Sequence, residues 1–458
     1  MYVKVSSISY KRIKNLSFNP EASVISDKVP INEFQVDVIS DQTNITVGKD
    51  IYLFDDLDQL WAKYWIISAE KIDYQTTRVL AQSKLVLLER KQMDNVIYRN
   101  YPVTDLIATL FSDIGSDGYV LDPSFSGKTI TGYFEEQTRK DRLQQVCFVL
   151  GAYVRSFGSE KIEILPLDDT ATLIPMNQTF WKPKVSNKDY VTAVTVTAYA
   201  FVQGEPTQKD KYVEVDDVTY IQYKRDFTLG NPNVPETAPE NVVRVDNVMI
   251  VNSENVSEIL NRLAGVYFNR TTAVVDCINN RSYWPSDKVI AYLDSDTVVT
   301  GYVESASFRF GLQARSSLEL VAAEESEVQP VKVEYYFNDG LLQTEIHMFP
   351  IGYNFEIETV YIDRIMQDHR YILRPLVDSV TGTVGPEGTT VTVQTEIAAD
   401  YFENILTVYN VDAVDYDIQE HEIDISENAT GMEIAESAKP EMRMSDVGWF
   451  TTAAEETE

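Results

Sequence analysis

The sequence predicts a mainly β protein with an α+β insert. The 458 residues include 27 Tyr and 19 Phe, besides many Val and Thr, and these residue types favour strands. Apolar and polar residues alternate through most of the chain, as in Phe34-Gln35-Val36-Asp37-Val38, whereas helical spacing is confined to three segments. The length exceeds what one hydrophobic core accommodates. We therefore expect two small β-barrel-like domains that flank an α+β domain, followed by a C-terminal β-sandwich and an acidic arm.

Residues 1–92 are predicted to form the first β-barrel-like domain. The alternation at residues 34–38 and the segments TVGKDIYLFDD and WAKYWIISAEKID indicate consecutive short strands in a sheet with one solvent-exposed face. Gly48 supplies a turn signal between them. The aromatic residues of the second segment, Trp61, Tyr64 and Trp65, are expected in the core rather than on a binding surface.

Residues 93–175 are predicted to form the α+β domain. After a proline, Thr104 is expected to cap a short helix with one apolar face, which closes near Gly115. The second half of this domain carries a longer helix and a β-hairpin.

The longer helix has recognisable ends. It is expected to begin at Thr138, which stands three residues before Asp141 as in a capping box, and to end at Gly151. A hairpin that turns at Gly158-Ser159 follows. The apolar face of the helix has the spacing i, i+3, i+4, i+7 and consists of Leu143, Val146, Cys147 and Leu150.

Residues 176–327 are predicted to form the second β-barrel-like domain, with one helix over residues 252–269. Ser253 is expected to cap this helix. Its apolar face consists of Val256, Ile259, Leu260, Leu263 and Tyr267. The segments TTAVVDCIN, DKVIAYLD, VVTGYVESASFRF and RSSLELVAA are expected to be strands.

The last third of the chain is predicted to consist of a β-sandwich over residues 328–411 and an acidic extended arm over residues 412–458. Four segments of the first part alternate cleanly: VKVEYYF, FEIETVYI, TVTVQTE and NILTVYNV. The arm holds 14 acidic and 2 basic residues without a regular period. Its apolar cluster is expected to anchor a partner protein and consists of Met442, Met444, Val447, Trp449 and Phe450.

The formal net charge of −32 is concentrated towards the C-terminus. Residues 1–99 carry 13 acidic and 13 basic side chains, residues 100–325 carry 31 and 20, and residues 326–458 carry 27 and 6. Such a surface repels nucleic acid and anionic membranes. Two interpretations stay open: a charge that serves solubility, and an acidic surface with a function.

No motif indicates an enzyme. The segment SGKT at residues 126–129 lacks the first glycine of a phosphate-binding loop, because that position is Asp122. No HExxH, GxSxG or CxxC occurs, and no pair of carboxylates stands out among the 71 acidic residues. We predict no catalytic residue, no cofactor and no metal.

The two cysteines, Cys147 and Cys277, are expected to be reduced, buried apolar residues rather than a disulfide or metal ligands. No run of about 18 apolar residues predicts a transmembrane helix. The N-terminal segment MYVKVSSISYKRIKN alternates like a strand and lacks the apolar core of a signal peptide, so synthesis in the host cytoplasm is expected.

The order of these segments resembles one family of proteins. RVLAQSKLVLLERKQM is followed by PVTDLIATLFSDIG, TGYFEEQTRKDRLQQVCFVLGAYV, SENVSEILNRLAGVYFNR and VVTGYVESASFRF. Together with VPINEFQVDV and WAKYWIISAEKID in the first domain, this order is similar to the hub proteins at the distal end of phage tails and of related phage-like contractile injection particles. The resemblance covers residues 1–325.

The resemblance implies a structural protein of the tail tip or baseplate. Members of the family form homotrimers in which two similar barrel domains per chain, which share a fold, make a ring of pseudo-sixfold symmetry. The ring joins the hexameric tail tube above to a trimeric spike or fibre below, beside other baseplate proteins. It also implies a virion location. From the acidic charge we expect neither membrane insertion nor specific binding of nucleic acid, and an acidic channel through which DNA passes during genome ejection. The residues after 325 are additional to the family pattern.

Two other functions are considered. A tail-associated hydrolase that cleaves cell-wall glycan or peptide requires a catalytic site that no motif supports. A carbohydrate-binding tail or surface protein is supported by the richness in Tyr and Trp alone. Zymography on cell walls and a glycan array would distinguish them from the hub.

Overall fold

A computed structural model describes most of the chain. The described residues are 1–40, 45–175, 178–235, 237–294, 297–310, 314–327, 332–338, 341–348, 354–367, 370–383, 389–396, 399–409, 419–421 and 447–451. The chain divides into two compact units. The first consists of Met1–Asp169, Gln178–Val289 and Thr300–Glu324, and the second of Thr170–Asn177, Ile290–Val299 and Glu325–Glu458.

The protein is mainly β with a few helices, which confirms the predicted fold class. The N-terminal part folds into antiparallel strands that pair in the order β3-β4-β7-β6-β5-β1-β2. These strands are β1 (Tyr2–Val5), β2 (Ile8–Tyr10), β3 (Ile13–Phe18), β4 (Glu33–Ile39), β5 (Asp50–Phe54), β6 (Leu60–Lys71) and β7 (Thr76–Gln82). Trp61 and Tyr64 are buried in the core and Trp65 is partly buried, as predicted.

The next part mixes short strands with three helices. β13 and β14 form the predicted hairpin, with β10 beside β14 in a parallel pair. The elements are α1 (Val86–Glu89), β8 (Gln92–Met93), β9 (Val96–Pro102), α2 (Val103–Leu110), β10 (Tyr119–Leu121), β11 (Thr129–Phe134), β12 (Gln137–Thr138), α3 (Arg139–Leu150), β13 (Ala152–Arg155) and β14 (Ile162–Pro166).

The ends of α3 are as predicted from the sequence. The Thr138 hydroxyl accepts a hydrogen bond from the Asp141 backbone N–H at 3.1 Å and donates one to the Asp141 carboxylate at 2.6 Å. Gly151 ends the helix in the left-handed conformation with φ 68°. The apolar residues Leu143, Val146 and Cys147 are buried.

The predicted cap of α2 at Thr104 is wrong. The helix begins at Val103, and Pro102 occupies the cap position in an extended conformation without a side-chain cap. The Val103 N–H instead donates to the backbone carbonyl of Lys128 at 3.0 Å. A backbone group from a distant part of the chain therefore replaces the side-chain cap.

The third part returns to strands. A four-stranded sheet has the order β18-β19-β17-β20, and α4 packs on β17 and β19. The elements are β15 (Ala171–Ile174), β16 (Lys184–Asn187), β17 (Ala193–Gln203), β18 (Tyr212–Val215), β19 (Val218–Gly230), β20 (Val242–Val245), α4 (Val256–Tyr267), β21 (Thr271–Ile278), β22 (Lys288–Tyr292), β23 (Thr297–Arg309) and β24 (Arg315–Glu327).

The predicted cap of α4 at Ser253 is also wrong, because two asparagines shape the turn before the helix. Asn252 accepts from the Glu254 N–H through its side-chain oxygen at 2.9 Å, and the Asn252 N–H donates to the Asn255 side chain at 2.9 Å. The helix then begins at Val256. Its predicted apolar residues Val256, Ile259, Leu260 and Leu263 are buried, whereas Tyr267 is partly buried.

The main core of the first unit lies among α2, α3, α4 and the strands that cover them. Fully buried side chains from each helix meet there, for example Leu106, Val146 and Ile259. Burying such an aliphatic side chain contributes roughly 1.5–3 kcal/mol. Helix packing thus stabilises the α+β part and the four-stranded sheet together.

The described residues of the C-terminal part form eight strands in two sheets. One sheet has the order β25-β26-β29, and in the other β28-β27-β30-β31 are joined by β32, which pairs with β30. The strands are β25 (Lys332–Asn338), β26 (Leu341–Met348), β27 (Asn354–Gln367), β28 (Arg370–Thr383), β29 (Thr389–Glu396), β30 (Ala399–Tyr409), β31 (Gln419–His421) and β32 (Val447–Thr451). The sandwich and the boundaries of the five predicted domains stay predictions.

Candidate assembly site

Two parts of the chain have the same strand order. Repeat 1 consists of β1 and β3–β7, which pair in the order β3-β4-β7-β6-β5-β1. Repeat 2 consists of β15, β16 and β21–β24, which pair in the order β16-β21-β24-β23-β22-β15. Taken in chain order, each strand of repeat 1 has a counterpart at the same place in repeat 2. Repeat 2 includes β15 and leaves out β17–β20, so it does not coincide with the predicted domain of residues 176–327, and a shared fold of the two predicted domains stays a prediction.

The counterparts correspond residue by residue where β6 meets β5 and where β23 meets β22. In repeat 1 the Gly48 N–H donates to the Ile66 carbonyl at 2.9 Å, and the Ile66 N–H donates to the Lys49 carbonyl at 3.0 Å. In repeat 2 the Ser286 N–H donates to the Val303 carbonyl at 2.6 Å, and the Val303 N–H donates to the Asp287 carbonyl at 2.9 Å. Val303 is therefore the counterpart of Ile66, which aligns β6 with residues 297–308.

A second correspondence lies on β4 and β21. The sequence VDVI at residues 36–39 matches VDCI at residues 275–278. Asp37 pairs at 2.9 Å with Arg78, which lies directly opposite it, whereas its counterpart Asp276 lies opposite Ser317 and pairs at 2.6 Å with Arg315, two residues away. Burial raises the pKa of Asp37, but hydrogen bonds from Arg78 and Asn15 outweigh it and hold that pKa below the usual value.

The two repeats join within the chain through β3 and the end of β23. Phe308 lies opposite Phe18, and Arg309 opposite Ser17, in an antiparallel pair. The pairing continues beyond β3, where the Ala306 N–H donates to the Pro20 carbonyl at 3.0 Å and Glu21 forms a bridge with Ser305. One edge of β23 therefore has two partners, β22 and then β3.

Aromatic side chains fill this junction. The rings of Phe18 and Phe308 stack at 5.9 Å, and Trp61 meets Trp284 edge to face at 5.1 Å and Phe308 at 5.0 Å. All four side chains are buried. Aromatic pairs of this kind contribute about 0.5–1.5 kcal/mol each beyond the area they bury, so the junction is a packed core.

The four residues predicted to anchor a partner are only partly described. Trp449 and Phe450 lie in β32, opposite Glu403 and Phe402 of β30. Met442 and Met444 lie outside the described residues. The structure therefore places two of the four in a sheet, and their role as anchors stays a prediction.

The described residues bring no reactive groups together. Cys147 and Cys277 are both buried and unpaired, and burial raises the pKa of their thiols to about 12 and about 11. Within the described ranges no group of three His, Cys, Asp or Glu side chains stands close enough to hold a metal ion. The segment SGKT leads into strand β11 rather than into a helix.

An open cavity of about 390 Å³ lies beside β20 and the end of α4. Its polar lining mixes both signs of charge, since Asp27, Asp189 and Glu304 stand with Lys188 and Arg270. Valine side chains, among them Val191 and Val243, form the apolar part. Among the described residues, no helix has the length and apolar character needed to span a membrane.

Comparisons with known proteins give similar structures. No protein-family model matches the sequence. No curated protein matches it either. A tail protein from Neisseria meningitidis MC58 is 10% identical with a TM-score of 0.49, and the match covers 70% of this chain and 95% of that one.

Two further solved structures are similar. The 43 kDa tail protein of prophage MuSo2 from Shewanella oneidensis is 10% identical with a TM-score of 0.46, over 70% of this chain and 97% of that one. A prophage tail protein from Listeria monocytogenes EGD-e is 12% identical with a TM-score of 0.44, over 69% and 90%. All three are described as tail proteins, the kind of protein that the sequence resembles.

Proposed function

We propose that this protein is the structural hub of a phage tail tip or baseplate. In this proposal three copies form a ring, which joins the hexameric tail tube above to a trimeric spike or fibre below. The observation that carries the proposal is the pair of repeats with the same strand order. Its location is the virion, after synthesis in the cytoplasm of the bacterial host.

The internal repeat is what a symmetry adapter needs. Most protein assemblies have closed rotational symmetry, so a sixfold surface and a threefold surface do not match copy for copy. Three chains with two similar sheets each present six similar units on one side. Every other surface of the chain occurs only three times in the ring. The ring can therefore match the hexameric tail tube on one side and the trimeric spike or fibre on the other.

The chemistry of the described residues supports a scaffold. The first unit holds a packed aromatic junction and a helical core. Both thiols are buried and protonated at neutral pH, because their pKa values are raised. Such groups stabilise a fold without offering a nucleophile.

The acidic charge supports passage of DNA through the ring. A wall that carries carboxylates gives phosphates no cations to exchange for their counter-ions, so DNA slides past without binding. With a net charge of −32 per chain, a ring of three copies repels nucleic acid strongly. We propose neither specific binding of nucleic acid nor insertion into a membrane.

Native mass spectrometry of the purified full-length chain tests the ring. The expected species has three times the chain mass of 52.1 kDa, alone or after addition of the spike protein. Electron microscopy of the same sample should show a ring with six similar lobes. A chain that stays monomeric with every tail partner overturns the proposal.

A further inference from the structure

One strand edge of repeat 1 lacks the partner that its counterpart has. The last residues of β23 pair with β3, whereas the aligned residues 67–72 at the end of β6 pair with β7 on one side and with no described strand on the other. Side chains along this edge are exposed, among them Ser68 and Glu70. Ile72, the last residue of this edge, is 45% exposed, and Tyr74, two residues beyond it, is 86% exposed.

A matching edge exists in repeat 2. β16 is the counterpart of β3, and it is the last strand of its sheet, paired with β21 alone among the described strands. Ser17 lies opposite Gln35, and Lys184 lies opposite Val274 at the aligned position. Lys184 is thus the counterpart of Ser17, and four residues further on, Lys188 is the counterpart of Glu21.

These two edges do not pair with each other within one chain among the described strands. Six strands, β21, β24, β23, β3, β4 and β7, lie between β16 and β6 in the pairing order. An exposed edge is a template for another strand, and a second copy carries the complementary edge.

We propose that neighbouring copies join by pairing residues 67–72 of one chain with β16 of the next, in the register of the junction inside the chain. This rests on the proposed ring and names the residues that close it. Ser68 of one copy then lies opposite Lys188 of the next, which repeats the internal pair of Ser305 and Glu21. Ile72 lies opposite Lys184, which repeats the internal pair of Arg309 and Ser17. The interface is heterologous, because different surfaces meet, and such interfaces form a closed ring when the rotation between neighbouring copies closes, as a threefold rotation does.

The charges along the two edges are complementary in this register. Glu70 lies opposite Ser186, with Lys184 and Lys188 as its diagonal neighbours on the same face. Opposite charges at such positions are favourable, and those lysines form a basic edge on a strongly acidic chain. The new pairing also covers Ile72, whose counterpart Arg309 stands at the edge of the aromatic junction.

Engineered disulfides test the register. The backbone hydrogen bonds on either side of Glu21 and Ser305 show that these two residues form a non-hydrogen-bonded antiparallel pair. In such a pair the two Cα atoms are about 4.5 Å apart, which a disulfide can span. The variant S68C/K188C of the full chain, oxidised at a concentration at which native mass spectrometry shows the trimer, should give covalent dimers and trimers on a non-reducing denaturing gel. Reduction should return them to single chains.

Two controls make the result specific. The variant E21C/S305C carries its cysteines across the internal junction and should close a bridge within one chain, without covalent multimers. In S68C/K211C the second cysteine lies next to β18 on the other sheet, so it should give no more covalent multimers than S68C alone. The two natural cysteines are buried and contribute no background.

The outcomes separate this inference from the ring itself. If native mass spectrometry shows trimers but S68C/K188C yields no covalent multimers while E21C/S305C bridges, the ring stands and this junction is wrong. If all variants are monomeric by native mass spectrometry, both alone and with every tail partner, the ring and the junction both fail. Covalent trimers from S68C/K188C, but not from the two control variants, support both the ring and this junction.

Discussion

Ser286 has the left-handed backbone conformation that Gly48 has at the same place in the other repeat. Their φ angles are 78° and 88°, and each N–H donates to a carbonyl in the middle of the second strand that follows, Val303 of β23 for Ser286 and Ile66 of β6 for Gly48. Glycine adopts this conformation without steric cost, whereas a side chain costs roughly 1–2 kcal/mol there. Ser286 is also 2% exposed, and its hydroxyl has no hydrogen-bond partner.

The substitution Ser286→Gly is therefore expected to stabilise the protein by about 0.5–1 kcal/mol. It removes the unfavourable contact of Cβ and an unsatisfied hydroxyl, and these gains exceed the larger entropy that glycine has in the unfolded chain. Urea unfolding followed by circular dichroism measures the change. The matched variant Gly48→Ala should destabilise by about 1 kcal/mol, and equal effects of one sign would contradict the equivalence.

Asp287 is expected to make the protein less stable as the pH rises through about 6. Burial raises the pKa of this carboxyl from 3.8 to about 6, although the Trp284 N–H and the charge of Arg155 lower it. The folded state thus binds a proton that the unfolded chain has already lost between these values. The stability contribution is complete below pH 3.8 and is lost above pH 6.

The variant Asp287→Asn tests this pH dependence. Its amide oxygen can still accept from the Trp284 N–H, which now bonds to the carboxylate at 2.8 Å. We expect it to be more stable than the natural protein at pH 8 by about 2–3 kcal/mol and no more stable at pH 4. Parallel stability curves from pH 4 to pH 8 would show that Asp287 does not titrate there.

Arg142 holds the start of α3 to two neighbouring loops. It is 1% exposed, its guanidinium donates to the carbonyls of Asp94 at 2.7 Å and Glu135 at 3.2 Å, and it lies over the ring of Phe134. Arg142→Ala removes the donor from those carbonyls and opens a cavity in place of the buried side chain, so a loss of about 2–5 kcal/mol is expected.

The neighbouring Lys140 supplies the control for Arg142. Its ion pair with Glu89 is partly solvated, so Lys140→Ala should cost about 0.5 kcal/mol. Urea unfolding of both variants measures the difference. A loss below about 1 kcal/mol for Arg142→Ala would mean that water replaces the guanidinium at those carbonyls.

Removing residues 440–458 is expected to weaken attachment of the distal partner while the ring stays intact. The deletion takes away the predicted anchors Met442, Met444, Trp449 and Phe450, including strand β32. Particle assembly and infection assays measure the first effect, and native mass spectrometry the second. A shorter deletion of residues 452–458 keeps β32 and should leave attachment unchanged. Normal infection after the longer deletion would reduce the arm to a solubilising tail.

Features that depend on near neighbours in the sequence were predictable. The cap at Thr138, the apolar face of α3 and the end at Gly151 all follow from residues within one or two helical turns. The start of α2 was not predictable, because its cap is the carbonyl of Lys128, 25 positions away from Val103. No local pattern marks such a bond.

The assembly site could be predicted only in outline. The resemblance implied two similar domains, but the pairing of Phe18 with Phe308 joins segments from opposite ends of the first unit. Likewise, nothing in the sequence around Ser286 indicates a positive φ, since serine favours no left-handed conformation. Tertiary contacts decide both features.

The junction between Phe18 and Phe308 has a consequence for how such a ring responds to dilution. Both strands belong to one chain, so they meet at the constant effective concentration that a covalent tether provides. Junctions between copies instead form at the concentration of free protein, and each carries the entropy cost of immobilising a separate molecule. In the proposed ring, dilution is therefore expected to dissociate the copies and to leave the paired repeats within each copy together.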